Sequence, residues 1–284
     1  MIRASTPVLT ALALTAFAAN SVLCRIALGH QLIDAASFAA VRVISGACVL
    51  ALIALPRRRR EGYPRNDFGA ATALFAYMIF FSYAYVSLSA GTGALILFAT
   101  VQLTMFAAAL RSGEQFELLA WVGLALAALG LVYLVLPGVT APDPAGAGFM
   151  TVAGIAWGCY SLRGRGVRDP LGATASNFLL GIPPVVIVSF ISLHSQRVSV
   201  TGILLALASG ALASGLGYVI WFAALRGLTM ARAATVQLSV PVIAAFGGVI
   251  FLSELLTTRL VLASAAVLGG IWLVLSRTAA RTAS

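Results

Sequence analysis

The sequence predicts an all-α integral membrane protein whose ten transmembrane helices form two inverted five-helix repeats. Three observations carry that expectation. The first is composition: 61% of the residues are hydrophobic and 9% charged, with a mean hydropathy of +1.03. Soluble domains carry about 25% charged residues, so this chain has too little polar surface to face water, and lipid must cover most of it. In lipid only helices and closed barrels satisfy their own backbone. The apolar runs here are long and continuous, without the every-second-residue alternation of barrel strands. The second observation is the placement of charge. All 18 basic residues are arginine, and they gather in short links between apolar runs, as membrane topology demands. That placement explains the net charge of +10 and sets nucleic acid aside as a partner, even for Arg57-Arg58-Arg59-Arg60. The third is a repeat: Ala99-Thr100-Val101-Gln102-Leu103 returns as Ala234-Thr235-Val236-Gln237-Leu238.

The first helix is expected over residues 7–28. Arg3, an apolar run and Ala16-Phe17-Ala18 also fit a cleaved secretory signal. The run continues for 22 residues, however, enough to cross roughly 30 Å of hydrocarbon. The second helix is expected over 35–55, with Arg42 inside it and the tetra-arginine link behind it. The third, 68–88, is rich in rings. A Ser89-Ala90-Gly91-Thr92-Gly93 turn leads to the fourth, 94–110, and the fifth spans 118–136. A Gly/Pro-rich stretch from Pro137 to Gly146 lies at the midpoint and divides residues 1–140 from 141–284.

The sixth helix is expected over 147–162, closed by Arg163, Arg165 and Arg168. The seventh, 171–193, carries Pro183-Pro184, which should kink it or interrupt its hydrogen bonds. The eighth, 202–225, has Gly210, Ser214, Gly215 and Gly217 along it, small residues that let helices approach closely in lipid. The ninth, 231–252, contains Pro241. The tenth, 260–275, ends in Arg277 and Arg281. Cys24, Cys48 and Cys159 lie in apolar runs without metal spacing and are read as small packing residues. No cofactor or metal is implied.

With the N-terminus inside, Arg3, Arg57 to Arg60, Arg65, Arg111, Arg163, Arg165, Arg168, Arg226, Arg232, Arg277 and Arg281 all fall on the inner side, 14 of the 18. The asymmetry places both termini in the cytoplasm. It also makes the fourth and ninth helices, which hold the pentapeptide copies, cross in opposite directions. Glu114 and Gly130 are mirrored by Glu254 and Gly270, sixteen apart in each half, and Asp34 and Asp169 share the pentapeptide's offset of 135. Inverted repeats of this kind characterise secondary transporters, with the substrate site near the midplane between the halves.

Several of these residues carry a resemblance: Asn20-Ser21, Arg42, the stretch 88–94, the stretch 234–241 and the Glu254…Gly270 ending. On them the chain resembles the drug/metabolite transporter superfamily, in its ten-helix EamA-type branch, over nearly its whole length. The length, the topology and the aromatic third helix look most like its aromatic amino-acid exporters. The resemblance implies a basket of helices around a central cavity lined by the first, third, fourth, sixth, eighth and ninth. It also implies a multi-pass protein of the bacterial inner membrane that exports metabolites. The first helix lacks the embedded glutamate of the small proton-coupled drug exporters. At the 135 offset Asn177 stands where a counterpart of Arg42 would be, so the halves are not chemically equivalent.

Gln102 and Gln237 are the leading site candidates, because an amide both donates and accepts and can meet a carboxylate or an ammonium. The competing reading is an interhelical hydrogen bond. Asn20 carries the same two readings. Tyr77, Tyr83, Phe98, Trp157, Tyr160, Tyr218 and Trp221 could stack on an aromatic substrate or pack against lipid and the interfacial belt, with Tyr83 and Trp157 the preferred pair. Arg42 is a gating or structural residue by resemblance. Its position eight residues after Asp34 equally allows snorkelling or an ion pair with Asp34. Pro183, Pro184 and Pro241 are candidate hinges. Glu114 and Glu254 are read as capping residues at helix ends ahead of carriers of coupling protons, and His30 and His194 as solvated.

The function these features imply is a metabolite exporter working by alternating access, most favourably for aromatic amino acids, as a monomer or weak homodimer in lipid. Other small metabolites or drugs are the alternative. Sugar-phosphate and nucleotide-sugar carriers need more deep positive charge than Arg42 alone. A lipid-modifying enzyme needs clustered His, Asp or Glu, which no motif supplies.

Overall fold

The computed structural model describes residues 5–61, 67–113, 116–138, 140–164, 167–192, 196–228, 233 and 236–281, with backbone alone at 55–61 and 275–281. The helices are α1 (Thr6–Gly29), α2 (Ala35–Glu61), α3 (Phe68–Ala84), α4 (Ala90–Arg111), α5 (Leu118–Val135), α6 (Pro144–Arg163) and α7 (Pro170–Ile191). They continue with α8 (Val200–Leu225), α9 (Ser239–Leu252) and α10 (Thr258–Arg281). Among the described residues, seven of these are long and apolar enough to cross a membrane. Phe68–Ala84, Ser239–Leu252 and Thr258–Val274 are shorter apolar helices.

Several helix starts are fixed by side chains that accept the backbone N–H three residues on, satisfying a donor that has no partner inside the helix. Asp34 Oδ1 accepts from Ser37 N at 2.9 Å, Asp67 from Ala70 N at 3.0 Å and Asp143 from Gly146 N at 2.7 Å. Asp169 accepts from Gly172 N at 3.1 Å and Ser199 from Gly202 N at 3.0 Å. Asp34 and Asp169, one repeat apart, therefore start α2 and α7 in the same way. These caps move several expected boundaries. Ser89 accepts from Thr92 N at 3.3 Å, so α4 begins at Ala90 and the expected 89–93 turn is mostly helix. Asp143 with Pro144 at the first position starts α6 three residues early, where proline's missing N–H costs nothing. Helix α2 runs on through the arginine cluster to Glu61.

The prolines fall at two kinds of position. Pro183 and Pro184 lie inside a continuous α7, with Pro183 exposed on the bundle surface. Pro241 is the third residue of α9, within the first turn, where N–H groups lack intrahelical acceptors anyway. Val236 and Gln237 before it are helical as well and Leu238 interrupts the path, so Pro241 stands just after a break in the expected 231–252 helix.

The two halves interleave. Helix α3 packs on α6 and α7 as α8 packs on α1 and α2, and α4 packs on α6 as α9 packs on α1. Helices α2 and α7, α4 and α9, and α5 and α10 meet each other directly. At each meeting the directions oppose: Gly46 lies against Phe178 while Gly181 lies against Val43. Likewise Gly91 touches Ala245 and Gly248 touches Ala90, and Gly123 abuts Gly270 while Gly130 abuts Ala266. A Cβ on Gly123 would come within 2.5 Å of the Gly270 carbonyl oxygen, so α5 and α10 approach backbone to backbone, as small residues allow in lipid.

The molecule is apolar outside and partly polar inside. Leu118, Leu129, Ile191, Val200, Ile250, Phe251 and Leu255 are exposed, while Asn20, Arg42, Ser82, Asn177, Ser209 and Ser214 are buried. Cys24 is buried, but Cys48 and Cys159 are exposed, so two of the three expected packing cysteines face outward. His30 is exposed. Glu114, His194, Arg65, Arg165, Arg232 and the Ala234-Thr235 start of the second pentapeptide lie outside the described residues, as do the side chains of Arg57 to Arg60, Arg277 and Arg281.

Candidate functional site: a ring-lined cavity beside a buried arginine

A narrow cavity lies where both halves meet. Helix α1 supplies Phe17, Asn20 and Ser21, α3 supplies Tyr77 and Phe81, and α4 supplies Leu97 and Phe98. Trp157 comes from α6, Ala213, Ser214 and Tyr218 from α8, and Gln237 from the residues leading into α9. The space open to the centre of a water molecule is only about 30 Å³, room for about two waters. A metabolite needs the walls to part.

Rings close the space. Tyr77 lies 4.8 Å from Trp157 between centroids, and Trp157 stacks on Tyr218 at 5.6 Å with 23° between planes. Phe17 meets Tyr218 edge-on at 5.9 Å. Such pairs contribute about 0.5–1.5 kcal/mol each beyond burial. A substrate ring that replaced one pair with another would lose little.

The polar wall depends on an unusual stretch of α8. Residues Ala208–Leu216 wind as a π-helix, in which each N–H reaches back five residues instead of four. Ser209 and Ser214, five apart, therefore turn the same way; on an α-helix they would diverge by about 140°. Ser209 Oγ donates to Asn20 Oδ1 at 2.6 Å, and Ser214 Oγ accepts from Arg42 Nε at 3.2 Å. Gly210 lets α2 approach: a Cβ there would come within 2.8 Å of the Arg42 Cα.

Arg42 is fully buried. Nη2 donates to Tyr77 Oη at 3.3 Å, and the guanidinium carbon sits 5.4 Å from the Tyr77 ring centre and 4.9 Å from that of Phe81. Nη1 has no hydrogen-bond partner among the described residues. Neither snorkelling nor an ion pair with Asp34 occurs. Asp34 is engaged by Ser37 N and by Arg197 N at 3.3 Å, and Arg42 extends along the bundle interior toward α3 and α8.

Of the sequence-predicted residues, Asn20, Tyr77, Phe98, Trp157, Tyr218 and Gln237 share this cavity. Gln102 is half-buried one turn beyond Phe98, outside the lining. Tyr83, preferred with Trp157 as a lining residue, packs edge-on against Phe149 at 5.9 Å and lies outside the lining. Tyr160 stands behind Trp157 at 5.4 Å and pairs with the Thr174 hydroxyl at 3.0 Å. Trp221 backs Phe17 at 5.8 Å. Phe17, Ser21, Phe81, Leu97, Ala213 and Ser214 were not anticipated. Helical spacing held the signal for several: Phe17, Asn20 and Ser21 share one face, as do Tyr77 with Phe81 and Ser214 with Tyr218.

At one end of the bundle a charged cluster ties α1, α4 and α9. Glu254 follows α9, and its carboxylate accepts from Ala90 N at 2.9 Å and lies 3.3 Å from Arg25 Nε. Arg25 Nη1 donates to the carbonyls of Tyr85 and Val86 at 3.3 and 3.0 Å. Glu254 thus caps α4, a helix of the other half, where the dipole favours negative charge. Burial nevertheless pushes its carboxyl above the ordinary carboxylate value, against the opposing pull of the Ala90 amide and Arg25.

Comparison with known proteins identifies a family, a relative and a shared fold. The EamA-like transporter family matches twice, over residues 5–136 and again over 144–276. An uncharacterized protein of Pseudomonas aeruginosa is 50% identical over 281 residues, 98% of this chain and 97% of that protein. A protein of known crystal structure shares the fold with a TM-score of 0.63, at 18% identity over 96% of this chain and 98% of its own. Two matched units that between them take in most of its length make this chain a multi-pass membrane protein of the EamA-like transporter family.

Proposed function

We propose that the protein exports small metabolites across the bacterial inner membrane by alternating access, with amino acids as substrates and aromatic ones favoured, in the manner of the family's aromatic amino-acid exporters. One observation carries this reading: six elements drawn from both halves converge on a cavity walled by Tyr77, Trp157 and Tyr218, with the amides of Asn20 and Gln237 at its side. The rings suit a flat side chain and the amides suit a polar head group. Ten membrane-crossing helices are two five-helix repeats, 1–140 and 141–284, inserted in opposite directions with both termini cytoplasmic. The opposed packing of α2 on α7, α4 on α9 and α5 on α10 supports that inversion. The constriction described above is one stage of the cycle, and rocking of the halves widens it. The Arg25–Glu254 cluster then fastens the outer end. The protein acts as a monomer or weak homodimer in lipid.

Purified protein in liposomes preloaded with phenylalanine, tyrosine or tryptophan tests this. Efflux should exceed that of protein-free vesicles, and Gln237→Ala, which removes a cavity amide, should slow it about fivefold. Gln102→Ala should leave it near the wild-type rate. Equal efflux with and without protein for every amino acid would sink the substrate claim.

A further inference from the structure

The unpartnered Nη1 of Arg42 points to a substrate chemistry. The guanidinium is fully buried and cannot shed its charge, because arginine stays protonated in proteins. Among the described residues the ion pairs are Arg25 with Glu254 and Arg163 with Asp67, so no described carboxylate answers Arg42. Its neighbours are a phenol, a serine hydroxyl and two ring faces, which solvate a cation but do not neutralise it. A buried charge without a counter-ion is strongly unfavourable in hydrocarbon surroundings. The residues around it, Tyr77, Phe81 and Ser214, are also cavity wall, so the guanidinium stands one side chain behind the space where a ligand would sit.

We propose that the cavity takes a carboxylate-bearing substrate, and that this carboxylate is the missing partner of Arg42. On entry the Tyr77 or Ser214 side chain shifts aside. The guanidinium fork then meets the carboxylate with two parallel N–H donors. The rings of Trp157 and Tyr218 take the apolar remainder. This rests on the cavity being a substrate site, as the transport reading has it, and it adds what that reading leaves open: the site selects for a negative group. Low dielectric makes the selection steep, because a cationic ligand of the same shape would face an unscreened like charge.

Two probes share a phenyl ring and a two-carbon spacer but differ in charge: 3-phenylpropionate and 2-phenylethylamine. Binding is read by tryptophan fluorescence of the detergent-solubilised full chain, since Trp157 lies in the wall. The acid should bind at millimolar concentration or below and the amine at least about thirtyfold more weakly. Arg42→Gln should abolish the preference, while Arg42→Lys, which keeps charge but loses the fork, should weaken acid binding and keep its sign. The wild-type comparison needs no variant to fold. Equal binding of acid and amine, or no binding of either, would overturn the proposal. So would chloride alone producing the same Arg42-dependent response, which would make this an inorganic-anion site. Efflux of 3-phenylpropionate from liposomes separates the two claims. Arg42-dependent binding with no efflux of this acid or of any aromatic amino acid would refute the transport reading and leave the carboxylate site standing, whereas efflux of acid and amine at equal rates would do the reverse.

Discussion

A guanidinium inside an apolar bundle must find its hydrogen bonds in the protein, and Arg42 finds them on α3 and α8. Ser214→Ala would leave Nε without its acceptor beside the already unpaired Nη1. That should destabilise the protein by about 1–3 kcal/mol, read as a lower melting temperature in detergent. Glu254 gives a prediction in pH. Its folded value lies above the ordinary 4.5, so ionising it is harder in the folded protein than in the unfolded chain. Its contribution to stability is full below pH 4.5 and is lost as pH rises through the raised value. Glu254→Gln keeps an acceptor for Ala90 N and removes the titration. The variant's melting temperature relative to wild type should therefore rise between about pH 4 and about pH 7; a constant difference would refute the assignment. Arg42 was visible in the sequence as a lone charge inside an apolar run. Its direction was not, because snorkelling and inward burial begin from the same position on α2, and only the packing of α3 and α8 chooses.

At the scale of the element, the π-helical stretch of α8 does most to build the site. It brings Ser209 and Ser214 to one face and seats Gly210 against α2. Gly210→Ala should push α2 and α8 apart at a cost of about 1–3 kcal/mol, as overpacking does, and should disturb Arg42 with them. Calorimetry or thermal aggregation would register the first effect. The shared capping of α2 and α7 is testable too: Asp169→Ala should cost about 0.5–2 kcal/mol, and Asp169→Asn much less. Helix existence was legible because each apolar run is long and most of the links between runs carry arginine or proline. Helix starts were less so. The Asp143-Pro144 and Ser89-Ala90 signatures are capping signals that hydropathy alone passes over. The π stretch had no sequence signal beyond its small residues, since Gly210, Ser214, Gly215 and Gly217 also suit an ordinary close-packed α-helix.

At the scale of the molecule, the pairing of α3 with α6 and of α8 with α1 joins the halves so that neither closes the cavity alone. The repeated pentapeptide pointed to corresponding helices, but its glutamines are not equivalent in space. Gln237 lines the cavity, while Gln102 stands one turn past it. Sequence symmetry identifies which helices correspond; it does not set how far each has slid along its partner, and that slide decides which residue reaches the centre. Tyr83 failed to reach the cavity for a related reason. Helix α3 carries rings on several faces: Tyr77 and Phe81 line the cavity, while Phe80 and Tyr83 meet Phe149 of α6.

The central claim is that this cavity is a pathway reached alternately from the two sides of the membrane. The most direct measurement places one cysteine at the wall, Ala213→Cys, in a chain whose Cys24, Cys48 and Cys159 are replaced by alanine or serine. It is labelled with a membrane-impermeant thiol reagent applied to each face of oriented vesicles. Labelling is expected from both faces, with a substrate that holds one gate closed slowing one side and sparing the other. Labelling from a single face under every condition, or from neither, would contradict that claim.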